Sequence, residues 1–241
     1  MQMKNAFFAL LLAPLLAASF AVADVPVPAF SSLKAGDRLP PPLRLITLPK
    51  IKPNVVSLVD DQGTTVLKVE SNNSAGSIAL PFNIEPAKTP LLTWRWKASS
   101  VLARADMDLK TGDDFAGRVY VFFDVPLASL PFMERSKIRL ARMVVGADVP
   151  TAAICYVWDN KHRIGHTAWS PYSNRVRKIV LQSGPGHIGK WMSESRDVAA
   201  DFRDAFGMPA PAVTGVAVGN DTDNTDDAVV TWFGDIAFLT K

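Results

Sequence analysis

Cysteine is almost missing from this sequence. Cys155 is the only one, and a single cysteine excludes a disulfide within the chain. It lies inside the apolar run AAICYVWD, with no neighbouring group in the sequence that would lower the pKa of its thiol. We therefore predict a buried, unreactive thiol and not a nucleophile.

Clusters of basic residues are also missing. Lysine and arginine together number 26 against 23 acidic residues, which gives a formal net charge of +3. The basic residues are interspersed along the chain and form no stripe, although a stripe is typical of proteins that bind nucleic acids. The sequence therefore predicts no nucleic-acid partner.

Long hydrophobic runs are limited to the amino terminus. Ala6–Leu16 is shorter than the roughly 20 residues that a membrane span needs, and no second run follows. Lys4 precedes it, and Ala21-Val22-Ala23 follows as a small-x-small cleavage site, which is the layout of a secretory signal peptide. We predict cleavage after Ala23, a periplasmic or secreted location, and one domain over residues 24–241; an uncleaved membrane anchor is the alternative.

Motifs of common enzymes are missing as well. The sequence shows no Ser–His–Asp pattern, nucleophile elbow or phosphate-binding loop, and it has three histidines. His162 and His166 have the i, i+4 spacing that aligns two ligands on a helix, but Gly165 and nearby turn residues argue against a helix there. His187 lies in the glycine-rich run SGPGHIGKW. The spacing therefore predicts no zinc site.

Short strand-like runs fill most of the remaining chain. They are rich in Val, Ile, Thr and aromatic residues and are bounded by Gly, Pro, Asn and Asp. The predicted strands are Leu43–Leu48, Val55–Asp60, Thr64–Ser71, Gly76–Phe82, Leu91–Ala98, Gly117–Asp124, Ala152–Asp159, Val176–Gln182, Val213–Gly219 and Val229–Leu239. Helices are predicted over Ser193–Phe206 and around Ser136–Val145. The fold class is all-β: a jelly-roll-like β-sandwich with one or two short helices.

Strict alternation gives these strands two distinct faces. In LTWRWKA, Trp94 and Trp96 share one face, for which we favour the core, and Arg95 and Lys97 share the other. In a jelly roll the second face of a sheet can form a concave ligand-binding surface. Candidate ligand-binding residues on such a surface are Arg118, Tyr120, Tyr156, Trp158 and Arg196.

Acidic residues crowd into two loops. One loop holds Asp221 and Asp223 after a predicted strand, and the other holds Asp113 and Asp114 before the strand that contains Arg118. If the two strands are antiparallel neighbours, both loops meet at one rim of the sheet. The carboxylates could then bind Ca²⁺, which prefers oxygen ligands, pair with Arg118 or Arg196, or simply be solvated.

Five segments carry a resemblance to a known family. They are Trp94-Arg95-Trp96, Gly112–Asp124, Cys155–Asp159, Trp191–Gly207, and Asp221–Thr225 followed by Gly234-Asp235-Ile236. In order and spacing they resemble the bacterial secreted family called domain of unknown function 3047. The resemblance implies an exported jelly-roll sandwich similar to carbohydrate-binding modules, and it supplies no catalytic residues. Asp235 looks like the last-strand acid of a structural calcium site in such modules, although its partner acid has no counterpart in residues 29–34.

Three functions remain open at this point. The favoured one is a noncatalytic binding module for a glycan or other polar ligand outside the cytoplasm, with possible calcium ligands in Asp221, Asp223 and Asp235. The second is an enzyme on the same fold. It would be a polysaccharide lyase served by Arg118 and Tyr120, or a glycosidase with Asp113 or Asp114 and Asp223 as its carboxylate pair if the two loops meet. The third is an envelope structural or assembly protein that binds another protein.

Overall fold

The computed structural model describes residues 27–145 and 150–241, so the predicted signal peptide lies outside the described residues. The described chain forms two β-sheets and two α-helices. The strands are β1 (Arg44–Ile46), β2 (Val55–Asp61), β3 (Thr64–Asn72), β4 (Ala75–Ile84), β5 (Leu91–Ala98), β6 (Phe115–Phe123), β7 (Ala152–Asp159), β8 (Thr167–Ser170), β9 (Ser173–Ser183), β10 (Met192–Asp197), β11 (Val213–Asp221), β12 (Ala228–Phe233) and β13 (Ala237–Leu239). The helices are α1 (Phe132–Val145) and α2 (Val198–Phe206).

The two sheets pack face to face. The seven-stranded sheet has the order β1-β4-β11-β6-β7-β9-β8, and all its pairings are antiparallel except that of β7 with β9. The six-stranded sheet has the order β10-β5-β12-β3-β2, with β13 also paired to β5. This arrangement confirms the predicted all-β, jelly-roll-like sandwich, and of the one or two short helices predicted the described residues form two.

Each of the ten predicted strands is present, but three details of the prediction are wrong. The last strand divides into β12 and β13 at Gly234, and β8 and β10 were not predicted as strands. Helix α2 begins only after Asp197, whose carboxylate accepts the amide of Ala200 at 2.9 Å. The alternating sequence before Asp197 pairs with β5 instead of continuing the helix, because main-chain bonding to a sheet edge outweighs a weak local helix preference.

A tight turn connects β2 and β3. Gln62 and Gly63 form it with φ values of 57° and 83°, so both central residues adopt the left-handed conformation that two-residue hairpins favour. The carboxylate of Asp60 accepts the amide of Gly63 at 3.1 Å. The turn fixes the position of Asp61, which contacts the candidate site described below.

The main core lies between the sheets and contains four large aromatic side chains. Trp94 and Trp96 of β5 face Tyr156 and Trp158 of β7, with ring centroids of the facing pairs 5.3 Å and 5.6 Å apart. A second apolar cluster covers the outer face of the seven-stranded sheet, where the buried Met107 packs from the loop before β6. Every residue of β7 is consequently buried.

None of the helices over residues 27–145 and 150–241 is both long and apolar enough to cross a membrane.

Candidate functional site

The two acidic loops meet at one rim of the seven-stranded sheet. Strands β6 and β11 are antiparallel neighbours, and their register places Asp221 opposite Phe115 and Gly219 opposite Arg118. The end of β11 therefore abuts the start of β6. We call Asp113, Asp114, Asp221 and Asp223 with Arg118 the acidic rim.

Most of the acidic rim is closed by internal hydrogen bonds and ion pairs. Arg118 Nη1 lies 2.5 Å from Asp221 Oδ2, and the amide of Phe115 donates to Asp221 Oδ1 at 3.1 Å. Asp114 is fully buried and accepts hydrogen bonds from the amides and side chains of Asn224 and Thr225. These contacts order the loop after β11 and leave Asp221 and Asp114 no open surface for a large ligand.

Lys178 is a second buried cation that the sequence analysis did not predict. It lies on β9, is 2% exposed, and donates from Nζ to Asp113 Oδ1 at 2.7 Å and to the carbonyl of Met107. Two cations thus face four carboxylates in this region. The signal was present in the alternation of Val176, Lys178 and Val180, which places Lys178 on an apolar face where an unpaired charge would be costly.

Burial controls the proton affinity of this cluster. It raises the pKa of Asp113 and of Asp223, and Asp114 raises the pKa of Asp223 further. Burial opposes the charge of Arg118, yet Asp221 holds the pKa of its guanidinium above the usual value. Asp113 and Asp223 consequently bind protons more readily than free aspartates do.

A pH dependence of stability follows for Asp223. Because its folded pKa is raised, its contribution to folding is complete in acid and is lost as the pH rises from about 4 through the folded pKa. Asp223→Asn should therefore gain stability relative to wild type between about pH 4 and neutral pH. Urea unfolding of both proteins across this range tests the prediction, and parallel stability curves would contradict it.

Calcium binding by Asp221 and Asp223 stays a prediction. The structure adds Asp114 to these two candidate ligands. One carboxylate oxygen from each of the three lies within 4.8 Å of the other two. A bound Ca²⁺ would displace protons and relieve the repulsion. Ca²⁺ added at neutral pH should then raise the melting temperature of wild type and much less that of Asp223→Asn.

Tyr156 and Trp158 require a correction. We predicted one surface that also contains Arg118 and Tyr120, but the register of β6 and β7 places the two pairs on opposite faces of the sheet. Tyr156 and Trp158 are 0% and 1% exposed. They lie in the main core, because the face of β7 that carries them packs against the six-stranded sheet. Tyr156 and Trp158 therefore cannot form a ligand surface with Arg118 and Tyr120.

Arg196 lies apart from the acidic rim. Its guanidinium contacts both carboxylate oxygens of Asp201 at 3.0 Å and 2.5 Å, and the hydroxyl of Tyr156 donates to Asp201 at 2.6 Å. Burial, followed by Asp201, raises the pKa of Tyr156 well above its usual value. The three side chains tie α2 to β10 and β7, so of the two proposed arginine partners only Arg118 pairs with the acidic loop.

Asp235 also lies apart from Asp221 and Asp223. It is exposed in the segment between β12 and β13, and its carboxylate accepts the amide and the hydroxyl of Ser31 at 2.9 Å and 2.6 Å. The predicted set of Asp221, Asp223 and Asp235 is therefore not one site. The partner of Asp235 within residues 29–34 is thus a serine and not an acid.

The outer face of the six-stranded sheet carries two half-buried tryptophans and two cations. Lys97 Nζ lies 5.0 Å from the ring centroid of Trp191 and 4.7 Å from that of Trp232, while Arg95 Cζ lies 4.4 Å from that of Trp191. Lys97 and Trp232 are opposite each other in the pairing of β5 with β12. We call Arg95, Lys97, Trp191 and Trp232 the tryptophan–lysine face.

Asp61 orients this face from the hairpin turn. It accepts two hydrogen bonds from Lys97 at 2.9 Å and 3.1 Å and one from Trp191 Nε1 at 2.6 Å. Its hydrogen bonds with Lys97 lower the pKa of the carboxyl, which keeps it charged. Within the part of the chain that the structure describes, Arg95 forms no ion pair.

An open depression of about 430 Å³ adjoins the tryptophan–lysine face. Thr93, Arg95, Ser193, Glu194 and Asp235 contribute to its lining, together with Trp94. Glu194 accepts hydrogen bonds from Trp96 Nε1 and Gln182 Nε2 at 3.0 Å and 2.8 Å. Burial raises the pKa of Glu194, although these two bonds oppose the shift.

The tryptophan–lysine face was not predicted from the sequence as a site. Alternation correctly separated Arg95 and Lys97 from Trp94 and Trp96, and the same rule in AVVTWF turns Trp232 outward. Trp191 immediately precedes β10, and its position depends on the pairing of β10 with β5, in a segment where the sequence predicted a helix. The pairing of the outward-facing Trp232 with the outward-facing Lys97 was the feature of the sequence that could have indicated this face.

The fold and these contacts define a jelly-roll-like sandwich with a buried acidic rim and an open aromatic–cationic face. The chain belongs to the family described as "Protein of unknown function (DUF3047)", whose model matches residues 42–237. No match to a curated protein is found.

Several solved structures align with this chain over most of its length. The xyloglucanase domain of NopAA from Sinorhizobium fredii, in complex with cellobiose, aligns with a TM-score of 0.44 and 10% identity over 86% of this chain and 96% of its own. Endoglucanase 3 of Trichoderma harzianum aligns with a TM-score of 0.43 and 8% sequence identity, over 85% of this chain and 100% of its own. The family 30 carbohydrate-binding module of a Clostridium thermocellum cellulase aligns with a TM-score of 0.33 and 12% sequence identity, over 82% of this chain and 86% of its own. Similarities this distant assign no activity.

Proposed function

We propose that the protein is an exported, noncatalytic binding module whose ligand is a glycan, preferably an acidic one, held on the tryptophan–lysine face. The observation that carries this proposal is the placement of Trp191 and Trp232 on either side of Lys97 on one open sheet face. Export is inferred from the predicted signal peptide, which is a sequence feature alone.

The chemistry of the face suits a sugar ring. Tryptophan presents a flat apolar surface with a polar N–H at its edge, and it contributes large contact area with little loss of conformational entropy. Asp61 already holds Trp191 and Lys97 in position, so little further ordering is needed on binding. A strand-based platform of this kind can accept an extended chain along the sheet.

The charge of the face favours an acidic ligand. Arg95 stacks on Trp191 and forms no ion pair among the described residues, so its forked donors remain for a carboxylate or sulfate. Lys97 is different, because Asp61 already neutralises it. Arg95 is therefore the residue that should distinguish acidic from neutral glycans.

Asp113 and Asp114, two of the carboxylates proposed for a glycosidase, already have hydrogen-bond or ion-pair partners within the protein. Asp114 accepts hydrogen bonds from Thr225 and Asp113 is paired with Lys178, and both are buried. A glycosidase needs two carboxylates about 5–9.5 Å apart across a cleft that admits the substrate. The binding module is therefore preferred over the enzyme.

Affinity electrophoresis through gels that contain uronate-bearing or neutral polysaccharides tests the proposal. Wild type should be retarded by an acidic polysaccharide, and Trp232→Ala should weaken the apparent affinity by about tenfold or more, as expected when a central aromatic contact is removed. Arg95→Ala should lose the preference for acidic over neutral chains.

Trp169→Ala is the matched control, because Trp169 is 36% exposed on the other sheet and also packs against an arginine. It should bind as wild type does. Absence of retardation in every gel would contradict the proposal and would favour a protein partner in envelope assembly. Equal loss in Trp169→Ala would show that the tryptophan–lysine face is not the site.

A further inference from the structure

Two histidines and an aspartate meet outside both regions described so far. His162 and His166 lie in the loop between β7 and β8, and Asp108 lies in the loop before β6. One ligand atom from each of the three lies within 4.8 Å of the other two. The sequence spacing predicted no such convergence, because it considered only a helix as the means of alignment.

Main-chain bonds to β9 hold the histidine loop in place. The amide of Gly165 donates to the carbonyl of Val180 at 2.8 Å, and the amide of Val180 donates to the carbonyl of His166 at 2.9 Å. The hydroxyl of Ser183 donates to the carbonyl of His162 at 2.5 Å. The imidazole rings are stacked as a result, with centroids 4.5 Å apart and planes at 16°.

A buried carboxylate orients His162. Its Nδ1 lies 3.1 Å from Asp159 Oδ2, and the amides of Lys161 and His162 donate to the same oxygen. Because this oxygen already accepts two amide hydrogen bonds, we assign the donor role to Nδ1 of His162, which leaves the lone pair of Nε2 for a ligand. Histidine ligands of metal ions are oriented in this way by a second carboxylate.

The lone pair of His162 points toward Asp108. The distance from His162 Nε2 to Asp108 Oδ2 is 3.3 Å, and two ligands of a tetrahedral zinc ion lie about 3.4 Å apart for bond lengths near 2.0–2.1 Å. Nε2 of His166 is buried without a hydrogen-bond partner among the described residues. Leaving such a nitrogen unpaired costs free energy, and coordination to a metal ion would remove that cost.

The surrounding charge favours a cation. Asp106, Asp108 and Asp159 all lie near His162, with Asp106 Oδ1 4.0 Å from its Nε2. Lys161 pairs with Asp106, but its side chain is 60% exposed and extends toward solvent. The side chain of Asp108 is 51% exposed, which leaves one side of the cluster open.

We propose that His162, His166 and Asp108 form a binding site for a divalent transition-metal ion, zinc in particular, with water in the fourth position. Two imidazoles and one carboxylate suit zinc, whereas calcium requires more oxygen ligands. The ion would join the loop before β6 to the loop after β7. This proposal is independent of the glycan-binding face.

Calorimetric titration with Zn²⁺ tests the site on the full chain without an added histidine tag. Wild type should bind one zinc ion per chain, and His166→Gln and Asp108→Asn should each weaken binding by more than tenfold. Asp159→Asn should weaken it by about 10–100-fold, as for other residues that orient a ligand. His187→Gln is the matched control and should leave binding unchanged. Calcium in excess should not compete.

Nuclear magnetic resonance of the wild-type imidazoles decides the question even if a variant fails to fold. Zinc should shift the ring signals of His162 and His166 and leave those of His187 unchanged. Absence of binding, retention of wild-type affinity by His166→Gln, or zinc-induced shifts at His187 alone would each overturn the proposal.

Discussion

Arg118→Met is expected to destabilise the protein by about 3–5 kcal/mol, the cost of leaving a buried charge without its partner. Arg118 is 5% exposed and Asp221 is 4% exposed, so water cannot replace the lost guanidinium. Asp114 and Asp223 lie close enough to share a ligand with Asp221, so their charges add to the penalty. Urea unfolding at neutral pH measures the loss.

Two further variants separate this mechanism from a general loss of packing. Asp221→Asn added to Arg118→Met removes the uncompensated charge, so the double variant should be more stable than the single one. Lys88→Met removes an ion pair in which both side chains are more than half exposed, and it should cause no measurable change. A single variant as stable as wild type, or a double variant less stable than the single one, would contradict the expectation.

Strand periodicity explains why the acidic rim could be predicted in part. A period of two fixes which residues of β6 share a face, and antiparallel pairing of β6 with β11 brings Asp221 to the start of β6. The same reasoning places Lys178 on an apolar face of its strand but could not pair it with Asp113, because β9 joins this sheet through a parallel pairing with β7. Parallel neighbours are connected by long crossovers whose partners local patterns do not specify.

Periodicity does not tell which face of a strand is the more buried one. Both faces of β7 are covered, one by the six-stranded sheet and the other by the loop that carries Met107. Tyr156 and Trp158 alternate with Cys155 and Val157, and either pair could have faced a ligand. Only the packing of the second sheet identifies Tyr156 and Trp158 as core.

The histidine cluster shows a different limit of spacing rules. An i, i+4 spacing predicts a shared face only when the backbone is helical. His162 and His166 are brought together instead by hydrogen bonds from their loop to Val180 and Ser183. Such long-range main-chain contacts depend on the assembled sheet, so no local pattern indicates them.

Trp158→Ala should lower the free energy of unfolding by about 3–5 kcal/mol, as expected for a fully buried tryptophan. Trp158 is 1% exposed and its ring lies 5.6 Å from that of Trp96. The remaining folded protein should still bind an acidic glycan as wild type does, because the tryptophan–lysine face is on the other side of the six-stranded sheet. Trp232→Ala should have the opposite effect: it should weaken glycan binding and lower the free energy of unfolding by less than Trp158→Ala does.

Trp158→Phe provides the control for this last expectation. It keeps an aromatic ring against Trp96 and removes an indole N–H that has no hydrogen-bond partner among the described residues, so its loss of stability should be clearly smaller. Urea unfolding and affinity electrophoresis of the three variants give the comparison. If Trp158→Ala were as stable as wild type and failed to bind, Trp158 would contact the ligand and the assignment of the tryptophan–lysine face would be wrong.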